Sequence, residues 1–324
     1  MSRILRPLLL AGAVLGGLSS LTAQADTLRI GFQKSSTLLT VAKQQGTLEK
    51  ALAARGTKVS WHEFPSGLPL LESLNVGNVD ISADVADTVP VFAQAAGAQL
   101  TYYALETPSP NAQAVLVAQD SPLKSLADLK GKRVAVTKAA GSHYLLIAAL
   151  AKAGLSFKDI QPSYLTPADG RAAFENGNVD AWVTWEPFVS SAQLQQNART
   201  LASGEGLASY QRYYLASTPY AEQHPEVLAV VFETLQQTGR WIKAHPEEAA
   251  QVLGPLWGGL DARTVQQANQ RRSYQVQAVT REALAEQQAI ADAFYQAGLI
   301  PRKVDATAVG IWQPDAAQVT AHSH

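Results

Sequence analysis

The sequence predicts an α/β fold built as two lobes of similar plan that face a common cleft, and three observations carry this reading. The stretch Ala168 to Phe188 reads as a helix (Ala168 to Glu175), a turn at Asn176-Gly177-Asn178 and a buried strand (Val179 to Thr184), with Trp185-Glu186-Pro187-Phe188 opening a new helix. Asn-Gly is a strong turn signal because glycine accepts the positive φ that ends a helix, and proline is tolerated in a first helical turn. Leu70 to Pro90 repeats that order, and its tetrad Gly77-Asn78-Val79-Asp80 returns one hundred positions later as Gly177-Asn178-Val179-Asp180. Shared order around a shared tetrad points to two related lobes. Short strands alternate with helices along the rest of the chain, the pattern of an α/β protein.

Taken in order, Thr27 to Phe32 alternates as a strand and begins the first lobe. Gln33-Lys34-Ser35-Ser36 follows, then a helix with Leu38, Leu39 and Val41; either serine can cap it, and its free N–H groups favour an anion. Lys58 to Phe64 is a strand, and Pro65 to Pro69 opens the helix of Leu70, Leu71 and Leu74. Ile81 to Val85 is a strand ending at Asp87-Thr88, before a helix through Phe92 and Ala95, and Leu100 to Ala104 is another strand. Pro108, Pro110 and Asn111 mark the outbound crossing between lobes.

The second lobe begins with strand Ala114 to Ala118, a helical turn at Leu126 to Leu129 and strand Arg133 to Thr137. The loop Lys138 to His143 precedes a helix from Leu145 to Ala153, which Gly154 stops, and a strand from Ile160 to Leu165. Ser203 to Tyr214 returns the chain, after which the pattern is helical over Val227 to Lys243, Glu247 to Leu256, Ala262 to Arg271 and Arg281 to Ala297. The expected division is therefore residues 26–111 for the first lobe, 112–212 for the second, 213–313 for the return, and a mobile tail at 314–324.

Composition narrows the function. The 324 residues suffice for two domains. A net charge of −1 gives no reason to expect nucleic acid or an anionic membrane as partner. The absence of cysteine removes disulfides, thiolate zinc sites, cysteine nucleophiles and lipidation of a mature N-terminus. Residues 1–25 read as a signal peptide, with Arg3 and Arg6 before an apolar Leu8 to Leu18 and a small-x-small site at Ala23-Gln24-Ala25. The expected destination is the periplasm, as a free monomer.

Strands that hand over to helix starts aim their loops at the carboxyl edge of a sheet, where open α/β sheets bind ligands. The loops so aimed supply Gln33, Lys34, Ser35, Ser36, Ser66, Gly67, Asp87, Thr88, Ser142, His143, Trp182, Trp185 and Glu186. They are rich in donors and hold no matched nucleophile and base, so the expectation is a binding site without catalysis, metal or cofactor. A tetrahedral oxyanion suits them, sulfonate above all, because it stays ionised and only accepts hydrogen bonds. Charge-assisted bonds of roughly 1.5–3 kcal/mol and helix starts of roughly 0.3–2 kcal/mol sum readily to the ~8 kcal/mol of micromolar binding. Ser35, Ser36 and Ser142 can equally be helix caps. Trp182 and Trp185 face opposite ways on a strand, and Trp185 is the better candidate for the cleft. Asp87 and Glu186 would repel a sulfonate; they cap a helix, pair with a basic residue or meet a ligand's amine. His143 beside Ser142 lacks the G-x-S-x-G setting of a hydrolase, and His322 and His324 make a weak metal site.

The chain resembles the aliphatic sulfonate-binding proteins of ABC importers, within the nitrate/sulfonate/taurine group of periplasmic binding proteins. The likeness rests on Arg29-Ile-Gly-Phe-Gln-Lys34, Glu63-Phe-Pro-Ser-Gly67, Phe92-Ala-Gln-Ala-Ala-Gly97, Ser125-Leu-Ala-Asp-Leu-Lys-Gly131, Asp159 to Asp169, Gly177 to Trp182, Phe294-Tyr295 and Lys303-Val-Asp305. It implies a type II periplasmic-binding fold that closes over a small organic sulfonate and passes it to an ABC transporter permease. Taurine, a sulfate ester or nitrate is the alternative ligand. A sulfinate desulfinase on a related fold needs a cysteine that this chain lacks. Two runs depart from the family: Ala86-Asp-Thr-Val-Pro90 replaces an expected Gly-Asp-x-Pro-Pro, and Lys138-Ala-Ala-Gly-Ser-His143 an expected Lys-Gly-Ser-x-x-His. Losing glycine where backbone approaches a ligand can reshape a pocket.

Overall fold

Two separate sheets organise the chain in a computed structural model that describes residues 26–314. The signal peptide expected at residues 1–25 and the tail histidines lie outside the described residues. The chain opens with β1 (Thr27–Gln33), α1 (Leu38–Gln45), α2 (Thr47–Ala53), β2 (Lys58–Phe64) and α3 (Gly67–Asn75). β3 (Ile81–Ser82), β4 (Val85–Ala86), α4 (Thr88–Ala95) and β5 (Leu100–Glu106) follow. The second sheet then takes over with β6 (Gln113–Val117), β7 (Arg133–Val136), α5 (Gly141–Lys152), β8 (Gln161–Tyr164), α6 (Pro167–Glu175), β9 (Ala181–Trp185), α7 (Phe188–Gln196) and β10 (Arg199–Ser203). The chain returns through β11 (Arg212–Ser217), α8 (Thr218–Gln223), α9 (Pro225–Ala244), α10 (Pro246–Leu256), α11 (Ala262–Arg271), β12 (Val276–Gln277), α12 (Ala285–Gln296) and β13 (Gly310–Ile311).

The first sheet runs β12-β5-β11-β3-β1-β2, with β13 on β5 and β4 on β11; the second runs β10-β6-β9-β7-β8. β1, β2 and β3 are mutually parallel, as are β7, β8 and β9, so the start of each lobe repeats one plan. The shared tetrad explains itself here. Asp80 accepts from the backbone N–H and guanidinium of Arg29 at the head of β1, while Arg29 also donates to Gly77 O at 2.7 Å. Asp180 accepts in the same way from Arg133 at the head of β7, whose guanidinium reaches Gly177 O at 3.1 Å. Gly77 and Gly177 both sit at positive φ, 76° and 67°, the left-handed turn that ends the preceding helix. The tetrad is a clamp between a helix end and the head of a neighbouring strand, and it marks the edge of each sheet opposite the cleft.

Packing follows the apolar pattern. α9 lays Val227, Val231, Leu235 and Ile242 along one face, against Leu28, Ile30 and Leu38 beneath β1 and α1. The second lobe has cores on both faces of its sheet: Val115, Val183 and Leu146 on one side, Leu116, Trp182 and Phe174 on the other. The two crossings run side by side between Glu106 and Gln113 and between Ser203 and Arg212, joined by Ser109 N to Ser209 O (3.0 Å) and Gly204 N to Pro110 O (3.0 Å). Gly204 is required there, since a Cβ would sit 2.5 Å from Pro110 O. One expected strand is divided: Ile81 to Val85 breaks into β3 and β4 around Ala83-Asp84, because the Asp84 carboxylate is drawn to a buried Arg212.

Candidate functional site

A narrow cavity of about 10 Å³ lies between the carboxyl ends of the two sheets. Gln33 ends β1, Ser66 and Gly67 start α3, and Ala86 ends β4; these come from the first lobe. Lys138, Ala140 and Gly141 lead into α5 and Trp185 ends β9, from the second, while Tyr210 and Arg212 come from the returning crossing. Two helix starts meet here with no side-chain cap: Ser66 leads α3 and Ala140 leads α5, and neither start carries a side-chain capping hydrogen bond. Their unsatisfied N–H groups and dipoles make a place for negative charge. Two other helix starts at this edge differ, since α4 follows Asp87 and α7 follows Glu186, and Glu186 accepts from Ser190 N at 3.0 Å.

Arg212 forms the floor. It is 2% exposed, pairs with the Asp84 carboxylate, and donates to Tyr210 Oη at 2.6 Å. Burial alone would raise the Asp84 carboxyl, but Arg212 and Arg272 hold it below the usual carboxylate range. Arg272 in turn donates to Glu106 at 2.7 Å, so two guanidiniums and two carboxylates balance in a buried set. The Arg212 Nε–H has no acceptor among the described residues. A buried donor left unmade costs ~1–3 kcal/mol.

Of the residues singled out from sequence, Gln33, Ser66, Gly67 and Trp185 line this cavity. Gln33 is held by donating to Asp84 O at 3.0 Å. Ser35 accepts the Trp185 indole N–H at 3.2 Å across the cleft, and Lys34 and Ser35 line a second, outer space. The remainder lie outside the lining of this cavity. Ser36 Oγ accepts from Gln33 N at 3.1 Å and shapes the turn instead. Thr88 donates to Ala139 O at 2.6 Å, a bond between lobes. Glu186 is 3% exposed and binds Arg271 at 2.6 Å and Ser190 N at 3.0 Å; burial pushes its carboxyl up and Arg271 pulls it partly back. Asp87 accepts from Gln211 N at 3.1 Å, and burial with nearby Glu286 pushes it up to about 7.

Ser142 is fully buried outside the cavity lining. His143 accepts from Ala139 N at 3.2 Å inside a cage of Phe92, Phe157, Tyr164 and Phe294, where burial and Lys138 lower it to about 3. With Nδ1 accepting, the neutral ring carries its proton on Nε2, which has no partner among the described residues. Trp182 is core, packed on Phe174 and against Gly170, whose Cβ would lie 2.8 Å from its Nε1. Strand alternation sends it to the face away from Trp185.

Sequence reasoning missed Arg212, Tyr210 and Lys138. The signal for Arg212 was an arginine heading the apolar strand Arg212-Tyr-Tyr-Leu-Ala, a charge that has to find a buried partner. The departures from family pattern have structural consequences. Ala139 adopts a left-handed φ of 63°, and Gly141 packs where the lobes meet: a Cβ there would be 2.4 Å from the Tyr210 ring and 3.1 Å from Ala86 Cβ.

Residues 35–249 match the family described as NMT1/THI5 like. An aliphatic sulfonates-binding protein of Escherichia coli strain K12 is 44% identical over 289 residues, covering 89% of each chain. The chain belongs to this family of aliphatic sulfonate-binding proteins. The crystal structure of a periplasmic aliphatic sulphonate binding protein from Escherichia coli superposes with a TM-score of 0.80, covering 89% of this chain and 98% of the other at 44% identity. The alkanesulfonate-binding protein from Xanthomonas axonopodis pv. citri, solved bound to MOPS, gives 0.81 at 42% identity, covering 86% and 95%. These family members are binding proteins, not enzymes, and the chain's fold is theirs: two α/β lobes around a cleft.

Proposed function

We propose that the protein is exported to the periplasm, captures one small organic sulfonate between its lobes as a monomer, and presents it to the permease of an ABC importer. The observation that carries this reading is the convergence of two uncapped helix starts, one from each lobe, on a cavity floored by Arg212 and edged by Lys138. Each helix start favours the anion, and because they come from opposite lobes the anion also favours closure. Sulfonate needs only donors, and this cavity offers them: the α3 and α5 N–H groups, the Arg212 Nε–H and Gln33. The kinship with sulfonate-binding proteins supports the ligand class, and the periplasmic relative supports the compartment.

Calorimetry of the mature protein against propanesulfonate, taurine, sulfate and nitrate tests it. Micromolar binding of propanesulfonate, about tenfold or more tighter than sulfate and nitrate, is expected. Tight nitrate or sulfate binding with no response to any sulfonate would sink the reading.

A further inference from the structure

His143 sits where the two lobes meet, and three features of its setting act together. Its ring centre lies 5.0 Å from that of Phe294 and 6.3 Å from that of Phe92, both on first-lobe helices. Phe157 and Tyr164 of the second lobe complete the cage at 5.3 and 5.4 Å. Its Nδ1 accepts from Ala139 N at 3.2 Å, so the lone pair that a second proton would take already faces a backbone donor. Ala139 in turn ties the lobes, since its carbonyl accepts the Thr88 hydroxyl at 2.6 Å. Ala140 and Gly141, between these residues and His143, line the anion cavity and lead into α5.

We propose that His143 is an acid-sensitive release switch, whose protonation breaks the Ala139 bond and with it the loop that cradles the anion and joins the lobes; this rests on the reading of the cavity as the sulfonate site. A proton on Nδ1 sets N–H against N–H, and the Ala139 amide has to turn away. Ala139 stands at a φ of 63°, a conformation that a residue with a Cβ keeps only while its surroundings hold it. Without the Nδ1 acceptor the loop relaxes, Thr88 loses its carbonyl, and the uncapped start of α5 leaves the anion. Ring faces attract a cation less than the loss of water costs it, so an imidazolium needs the cage opened.

The groups around the ring offer it no counter-ion. Lys138 is the charge that acts on it, and it repels. Tyr164 brings a hydroxyl that burial keeps protonated, and Asp159, two positions after Phe157, accepts from Ser156 N and Oγ at 2.9 Å. Glu286 on α12 and Asp87 before α4 act on Tyr144, where after burial they help to raise the hydroxyl. Burial and Lys138 lower the closed-form ring to about 3 from the ordinary 6.5. A ligand that closes the lobes therefore expels the proton, and by linkage the proton expels the ligand, so affinity is lost as pH falls below about 6.5.

Calorimetry with propanesulfonate, which does not titrate, at about pH 7.5, 6 and 5 tests this. Wild-type affinity is expected to fall about tenfold or more from the highest pH to the lowest, and that of His143→Gln by less than about twofold. The glutamine amide oxygen can still accept from Ala139 N. Asp87 titrates with the opposite sign, so the same pair is also compared in an Asp87→Asn background. Parallel pH dependence with and without the imidazole overturns the switch, as does affinity that acid leaves unchanged in both backgrounds. Proton NMR of the wild type needs no variant: the His143 ring, recognised by its contacts with Phe92 and Phe294, should titrate at lower pH with saturating propanesulfonate than without it. Identical titration in the two states also overturns the switch and leaves the sulfonate reading standing. Absence of propanesulfonate binding at every pH overturns the sulfonate reading, and the switch falls with it.

Discussion

Gly141 and Arg212 decide what the cavity can accept, for opposite reasons. Arg212 is kept charged and immobile by Asp84, while its Nε–H stays free for a ligand. Gly141 has no side chain because the Tyr210 ring occupies the space a Cβ would need. Gly141→Ala is expected to obstruct the closed form alone, at an overpacking cost of ~1–3 kcal/mol, so the dissociation constant for propanesulfonate should rise roughly 5- to 150-fold. The melting temperature of the ligand-free protein should move less. An unchanged dissociation constant would mean that the lobes do not approach at Gly141 when ligand is bound. Trp185→Phe removes only the indole N–H and keeps most of the packing; calorimetry with propanesulfonate should show a loss of ~0.5–1.5 kcal/mol, the scale of one hydrogen bond.

At the scale of elements, the start of α5 is wedged between α4 and α12, and His143 sits in the wedge. Its ring meets Phe92 and Phe294 from the first lobe and Phe157 and Tyr164 from the second. In the native state it protonates only near 3, against an ordinary value of 6.5. The unfolded chain therefore binds a proton across that window that the native protein refuses. Stability consequently falls as pH drops from 6.5 toward 3, with a limiting slope of ~1.4 kcal/mol per pH unit. Asp87 acts with the opposite sign. Its carboxyl is raised to about 7 from 3.8, so its contribution is lost as pH rises between those values. Urea unfolding at several pH values between 4 and 7 separates the two: His143→Gln should flatten the acid-side loss, and Asp87→Asn should stabilise the protein most above pH 7. Parallel wild-type and His143→Gln curves would remove the imidazole from this account.

For the whole molecule, the lobes are held by contacts that lie outside the ligand cavity. Arg271 on α11 binds Glu186 at 2.6 Å and Gln193 at 2.8 Å, Thr88 reaches Ala139, and an apolar cluster around Phe294 spans both lobes. Opening the cleft hydrates Glu186 and Arg271, so their pairing belongs to the closed form. Arg271→Ala should weaken propanesulfonate binding about fivefold or more through faster release, because it leaves Glu186 buried without its cation. Stopped-flow dissociation measures this, and an unchanged off-rate would remove the latch. Small-angle scattering should show compaction when ligand is added to the open population, as hinge closure requires; an unchanged radius at saturation would count against hinge closure.

Much of this protein was legible in its sequence, and the reasons are local. Turn glycines, the period of apolar residues and the repeated Gly-Asn-Val-Asp tetrad are short-range signals, each read within a few positions. They were enough for the α/β class, the two related lobes and the loops that meet at the cleft. The ligand class followed as well, since donors without a nucleophile suit an anion. Only the tertiary structure decided which side chains of those loops line the cavity. Asp87, Thr88, Ser142, His143 and Glu186 lie outside its lining, and three of them are held by partners distant in sequence: Gln211 for Asp87, Ala139 for Thr88 and Arg271 for Glu186. The same constraint hides Arg212 from a local reading. Its place in the cavity is set by Asp84, 128 positions earlier, and a pairing over that distance exists only once the chain has crossed to the second lobe and returned.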